Sequence, residues 1–169
     1  MKKIVIFVLA TVVCVAAVNY FSLGMPANSA TNVDHRNAGI ETWVYYEYFL
    51  NPNSVVVDLR NVESDKSTAD VFRVLFQIAE EFEERKFNKV YLATKGVKKF
   101  YIEGNYFKEL GSSFSYQNPV YLLRNFPENA YLLDGSKAYS TWTGGVIGVV
   151  GRQMEDLNDL SRTWFIGDF

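Results

Sequence analysis

The chain of 169 residues has one cysteine, one histidine and four prolines, and its 17 basic side chains do not outnumber its 19 acidic ones. Each scarcity removes a class of function. Cys14 lies inside an apolar stretch, so the rest of the chain folds without disulfides and offers neither a thiolate metal site nor a cysteine nucleophile. His35 stands between Asp34 and Arg36 in a polar segment, where nothing holds an imidazole in catalytic register, and a Ser-His-Asp site is not expected. With a net charge of −2 the chain lacks the cationic surplus that displaces counterions from phosphates, which excludes nucleic-acid recognition by a strong basic field. No cofactor fingerprint is present, and neither a cofactor nor a metal site is expected.

What is present is apolar and aromatic: 49% and 16% of the residues, enough to exclude disorder and to allow one ordinary domain. The charge is unevenly spread. Lys2 and Lys3 are the only charges in residues 1–30, so the other 139 residues carry 15 basic and 19 acidic groups, a net of −4. Two lysines before an apolar run mark a segment for export, with the positive end left in the cytoplasm. Ile4 to Val18 suits the core of a cleaved signal peptide, with Ala27-Asn28-Ser29 as the cleavage site. Ile4 to Met25 suits a spanning helix if Asn19 and Ser22 lie near the outer interface, with Tyr20 and Phe21 as aromatic anchors. Residues 1–25 are thus expected to be a signal-anchor or signal peptide, 26–39 a polar tether, and 40–169 a single domain outside the cytoplasm. The expected location is a bacterial inner membrane, or the soluble periplasm or cell exterior if the segment is cleaved.

Within the domain, Ile40 to Leu50 is dense in aromatic and β-branched residues and predicts a strand ending at the turn signal Asn51-Pro52-Asn53. The run Val55 to Leu59 predicts a strand buried on both faces. Val71, Val74, Leu75, Ile78 and Phe82 recur at helical spacing after a capping box of Ser67 and Asp70, predicting a helix over residues 69–87. Lys89 to Thr94 predicts the returning strand, which makes a βαβ unit with parallel strands. Lys99 to Glu103 reads as an edge strand, residues 104–111 as a short helix, and Pro119 to Arg124 as a helix opened by proline. Val146, Val150, Met154, Leu157, Leu160 and Trp164 predict a long amphipathic helix at the end. The expected fold is α/β or α+β: a small mixed sheet around one βαβ unit, covered by the central and C-terminal helices, with a hydrophobic helix at the N-terminus.

Ligands in open α/β sheets bind beyond the carboxyl ends of the strands, so Asp58, Arg60, Asn61, Glu63 and Asp65 occupy the expected place. Asp58, Glu63 and Asp65 are the candidate catalytic carboxylates, as general acid and base, and Arg60 and Asn61 the candidate ligand-binding residues there. Gly144, Gly145, Gly148 and Gly151 surround the start of the last helix, where backbone amides and Arg152 suit an anion; glycines so spaced also suit close helix packing. The aromatics Trp43, Tyr45, Tyr46, Tyr48, Tyr101, Tyr106, Phe107, Tyr116, Tyr121, Tyr131, Tyr139 and Trp142 exceed what a core of this size must bury, and such rings make flat contact surfaces for glycans or proteins.

Val55 to Asn61 is similar to the strand ending in Asp-Leu-Arg of tail-specific proteases, but Val62-Glu63-Ser64 replaces the glycine pair expected next, and no serine–lysine pair can be assigned. The order strand, Ser-Thr loop, helix, strand over residues 55–94 also resembles the anti-sigma-factor-antagonist fold. Neither resemblance gives function. The expectation is a non-enzymatic envelope module that binds a protein or glycan partner, with an envelope hydrolase using the loop carboxylates as the alternative.

Overall fold

A computed structural model describes residues 1–169, the side chains of residues 146 and 147 excepted. Five helices and five strands form a mixed α/β fold. The first helix, α1, runs continuously over Lys2–Asn32 with one π-type turn at Tyr20–Gly24. Strands β1 (Ile40–Glu47), β2 (Asn51–Val62), β3 (Lys89–Thr94), β4 (Val97–Glu103) and β5 (Ala130–Tyr131) lie side by side in sequence order. Only β2 and β3 are parallel, and α2 (Thr68–Glu81) connects them, so the βαβ unit stands at the centre of the sheet. The remaining neighbours are antiparallel. Helices α3 (Gly104–Phe114), α4 (Pro119–Asn125) and α5 (Val146–Ser161, closing in a π-type turn at Arg162–Ile166) complete the chain.

The local chemistry accounts for these boundaries. Ser67 and Asp70 form the expected capping box, each side chain accepting from the other's backbone, and α2 ends at Glu81 with Phe82 as its C-cap, short of the residue 87 expected. The β1–β2 turn, Tyr48 to Leu50, comes three residues earlier than the proline signal. Tyr48 and Phe49 take φ of 53° and 61°, and Leu50 N–H closes onto the Glu47 carbonyl, so Asn51 and Pro52 open β2 instead of making the turn. Positive φ at both central residues of a turn is the signature of type I′, usually Asn-Gly. Aromatic side chains there cost on the order of 1–2 kcal/mol each.

The core lies between the helices and one face of the sheet. Val55, Val57 and Leu59 of β2, Val90 and Leu92 of β3, and Phe100 and Ile102 of β4 meet Phe72, Leu75, Phe76 and Ala79 of α2. Phe72 packs edge-on against Phe126 and Trp164, and the Trp164 indole donates to the Ala93 carbonyl. The buried stripe of α5 is Gln153, Leu157, Leu160, Ser161 and Trp164; Met154 faces outward. Glycine matters where α3 crosses α2 and the β3 approach: a Cβ on Gly104 would strike the Phe87 carbonyl, and one on Gly111 the Ala79 carbonyl. Gly144, Gly145, Gly148 and Gly151 have open space around them and support no close packing.

Residues 26–39 are not a tether. The helix continues through Asn32, with Ala27 and Thr31 buried, and the following turn is pinned to α2. Asn37 is buried there, donating to the Thr31 carbonyl and Gln77 and accepting from Arg73. Composition suggested a solvated linker because these residues are small and polar. Small side chains are also what allows a helix to pack closely against a neighbour. Lys99–Glu103 is not at the edge, because β5 pairs outside it.

Candidate functional site

All the helices that build the core lie on one side of the sheet. Strand alternation sends the other side chains to the opposite face: Trp43, Tyr45 and Glu47 from β1, Val56, Asp58 and Arg60 from β2, and Tyr91 and Ala93 from β3. A bulge opposite Leu92 and Ala93 brings Lys98 of β4 to the same face as Tyr101, and Tyr131 of β5 follows. Val56, Ala93 and Tyr101 are buried yet stand apart from the helix-side cluster, covered by neighbouring rings. The central strand is therefore buried on both faces, on one of them by aromatic side chains instead of helices.

The rings and charges on this face are interleaved. Tyr101 stacks on Tyr131 with centroids 5.1 Å apart, and Tyr91 lies 5.9 Å from Tyr101. Arg60 sits 4.5 Å over Trp43, Lys98 4.0 Å over Tyr91, Lys89 4.1 Å over Tyr101 and Lys137 4.3 Å over Tyr131. Each such contact contributes about 0.5–1 kcal/mol at exposed positions. Two carboxylates lie beneath. Asp58 is 1% exposed, pairs with Arg60 at 3.0 Å and accepts from the Gly96 backbone at 3.0 Å, with the Tyr45 hydroxyl 3.4 Å away. Glu47 pairs with Lys98 and accepts from Asn51.

Titration follows from this layering. Burial, then the charge and hydrogen bond of Asp58, push the Tyr45 hydroxyl up to about 12. Burial and the Glu47 carboxylate do the same for Tyr91, also to about 12. Burial alone would raise the Glu47 carboxyl, but the bonds from Lys98 and Asn51 and the Lys98 charge outweigh it and hold the group below its ordinary value.

The carboxylates singled out in the sequence take separate partners. Asp58 has both oxygens engaged and locks β2 to the β3–β4 turn. The Glu63 carboxylate lies against Gly39, and Asp65 is exposed beside Lys66 at 3.2 Å. Asn61 pairs with Glu41 in the β1–β2 ladder. Among the described residues no three of His, Cys, Asp and Glu converge. Trp142, Gly144 and Arg152 form a separate cluster at the start of α5: the indole donates to Asp156 at 2.6 Å, and Arg152 lies 5.7 Å from its ring and pairs with Glu155. Gly145 caps that helix with no side-chain bond.

Of the aromatic residues named from composition, the fold gathers Trp43, Tyr45, Tyr48, Tyr101 and Tyr131 here. Tyr91, Glu47 and Lys98 belong with them and were missed. Their signal was the alternation in Lys89-Val90-Tyr91-Leu92, which puts Tyr91 opposite the apolar positions. The helix side differs in sign: a groove of about 510 Å³ between residues 30–34 and α2 is lined by Glu80, Glu81, Glu83 and Glu84. Comparison with known proteins finds no matching family model, no matching curated sequence and no matching solved structure.

Proposed function

We propose that the chain is a non-enzymatic envelope module, anchored in a bacterial inner membrane by residues 4–25, that binds a protein or glycan partner through the aromatic face of its sheet. The observation that carries this is a sheet covered by helices on one side only, with rings beneath cations on the other. Large rigid rings lose little side-chain entropy on binding and suit such a surface. Lys89 and Lys137 add positive charge to the face, since Arg60 and Lys98 are matched by Asp58 and Glu47, which favours a partner presenting acidic groups. The burial of Asp58 beneath Arg60 favours binding over hydrolysis, because a general base must come within hydrogen-bond reach of the proton it takes from the substrate.

An uncleaved anchor is supported by the packing of α1. Leu23 and Ala27 are fully buried in the domain core, and Asn19 is bonded to the β1–β2 hairpin, so removal of these residues would open the core. To test the binding face, full-length protein and its Trp43→Ala and Tyr131→Ala variants are compared for retention of envelope glycan fragments and for photo-crosslinked adducts in intact cells. The expected result is a defined adduct or retained glycan that both variants lose while keeping the parent circular dichroism. Variants indistinguishable from the parent would remove the face from the proposal.

A further inference from the structure

We propose that the tip of the β1–β2 hairpin, Tyr48 to Leu50, is seated in the outer interfacial layer of the lipid bilayer beside the anchor helix, so that lipid is the partner of this apolar tip. This rests on the anchoring of residues 4–25 proposed above. The hairpin does not stand off from α1. The Asn19 side chain donates to the Phe49 carbonyl at 2.8 Å and accepts from the Tyr46 N–H at 2.8 Å. Cys14, Val15 and Val18 of the helix face Phe49, Leu50 and Pro52 across an open apolar groove of about 270 Å³.

Length then sets the depth. The unbroken apolar run Ile4 to Val18 rises only about 22 Å at 1.5 Å per residue, whereas the hydrocarbon layer is about 30 Å thick. The span must therefore extend to the level of Tyr20 to Leu23, and the hairpin, which Asn19 holds beside the helix just short of that level, brings its tip to the boundary where headgroups meet acyl chains. Its side chains suit the place: Tyr48, Phe49 and Leu50 are 76%, 50% and 71% exposed, a composition of interfacial aromatic and aliphatic groups. Half of its backbone polar groups are bonded within the chain, which lowers the cost of leaving water. The Phe49 N–H donates to the Tyr46 carbonyl, the Leu50 N–H to the Glu47 carbonyl, and Asn19 takes the Phe49 carbonyl. Aromatic residues also occupy a turn where Asn-Gly is less strained, and strain of this kind is retained where a function requires it.

The test uses the full chain with Cys14→Ala and Leu50→Cys, labelled with an environment-sensitive fluorophore and reconstituted in vesicles of mixed zwitterionic and anionic phospholipid. A label at Asp134→Cys, in the distant exposed turn, is the aqueous reference. Nitroxide-bearing acyl chains are expected to quench the Leu50 label several-fold more than the Asp134 label, and aqueous iodide to do the reverse. Tyr48→Cys repeats the measurement if Leu50→Cys does not fold. Iodide-accessible labels at positions 48 and 50 on a chain that stays full-length in the vesicles overturn the tip placement alone. A chain that is not retained by the vesicles at full length overturns the anchor and the tip together.

Discussion

Asp58 shows how one side chain joins sequence, packing and surface. It ends the apolar run of β2, lies beneath Arg60 and holds the Gly96 turn by a backbone bond. Arg60→Ala leaves a buried carboxylate without its cation and is expected to destabilise the protein by about 3 kcal/mol, read as a shift in the urea unfolding midpoint; an unchanged midpoint would show the pair to be dispensable. Asp58→Asn is expected to cost less, because Arg60 is partly exposed and stays hydrated. The tyrosines give a pH prediction. Tyr45 and Tyr91 hold folded values near 12 against an ordinary 10.0, so the unfolded chain loses these protons first. Their contribution to stability is full below pH 10 and is lost as pH rises towards 12. Ultraviolet titration of phenolate should accordingly show a late-ionising group that also includes Tyr106 and Tyr139, and from it Asp58→Asn should bring Tyr45 earlier and Glu47→Gln should bring Tyr91 earlier. The shift at Glu47 has the opposite sign: its depressed value contributes stability at neutral pH that is lost on acidification.

Among the elements, α1 is apolar and exposed over its first half and part of the core over its second. Leu23→Ala removes a fully buried side chain, and about 2–5 kcal/mol of destabilisation is expected from the lost packing. Thermal unfolding in detergent reads it directly; an unaltered transition would mean that the domain folds without the helix. The capping box, the periodicity of α2 and the strand Lys89–Thr94 were legible because each is a local pattern of fewer than twenty residues. The course of residues 26–39 was not, since its polarity reflects partners on α2 that the linear sequence does not announce. The C-terminal helix was legible as an element but not in its face: Gln153 turns inward to Asn125 and Glu128, and Met154 turns out. A period of 3.6 tolerates that rotation, and only the neighbouring turn decides it.

For the whole molecule, charge and position divide the surface. Acidic side chains line the helix side between residues 30–34 and α2, while lysines and Arg60 sit over the rings of the sheet. Mass spectrometry of the protein recovered from membranes is expected to give the intact 19.3 kDa chain, and a shorter mature chain in the soluble fraction would overturn the anchor. The candidate face was legible only as an excess of aromatic residues without address. Local order in the sequence determined the helices, the strands and the apolar start, because hydrophobic periodicity and residue type are properties of neighbours in the chain. Tertiary structure alone decided that every covering helix lies on one side, that residues from five strands make one aromatic face, and that the β1–β2 hairpin lies against α1. Those are outcomes of strand order and register, in which residues far apart in the sequence become neighbours across backbones roughly 4.8 Å apart.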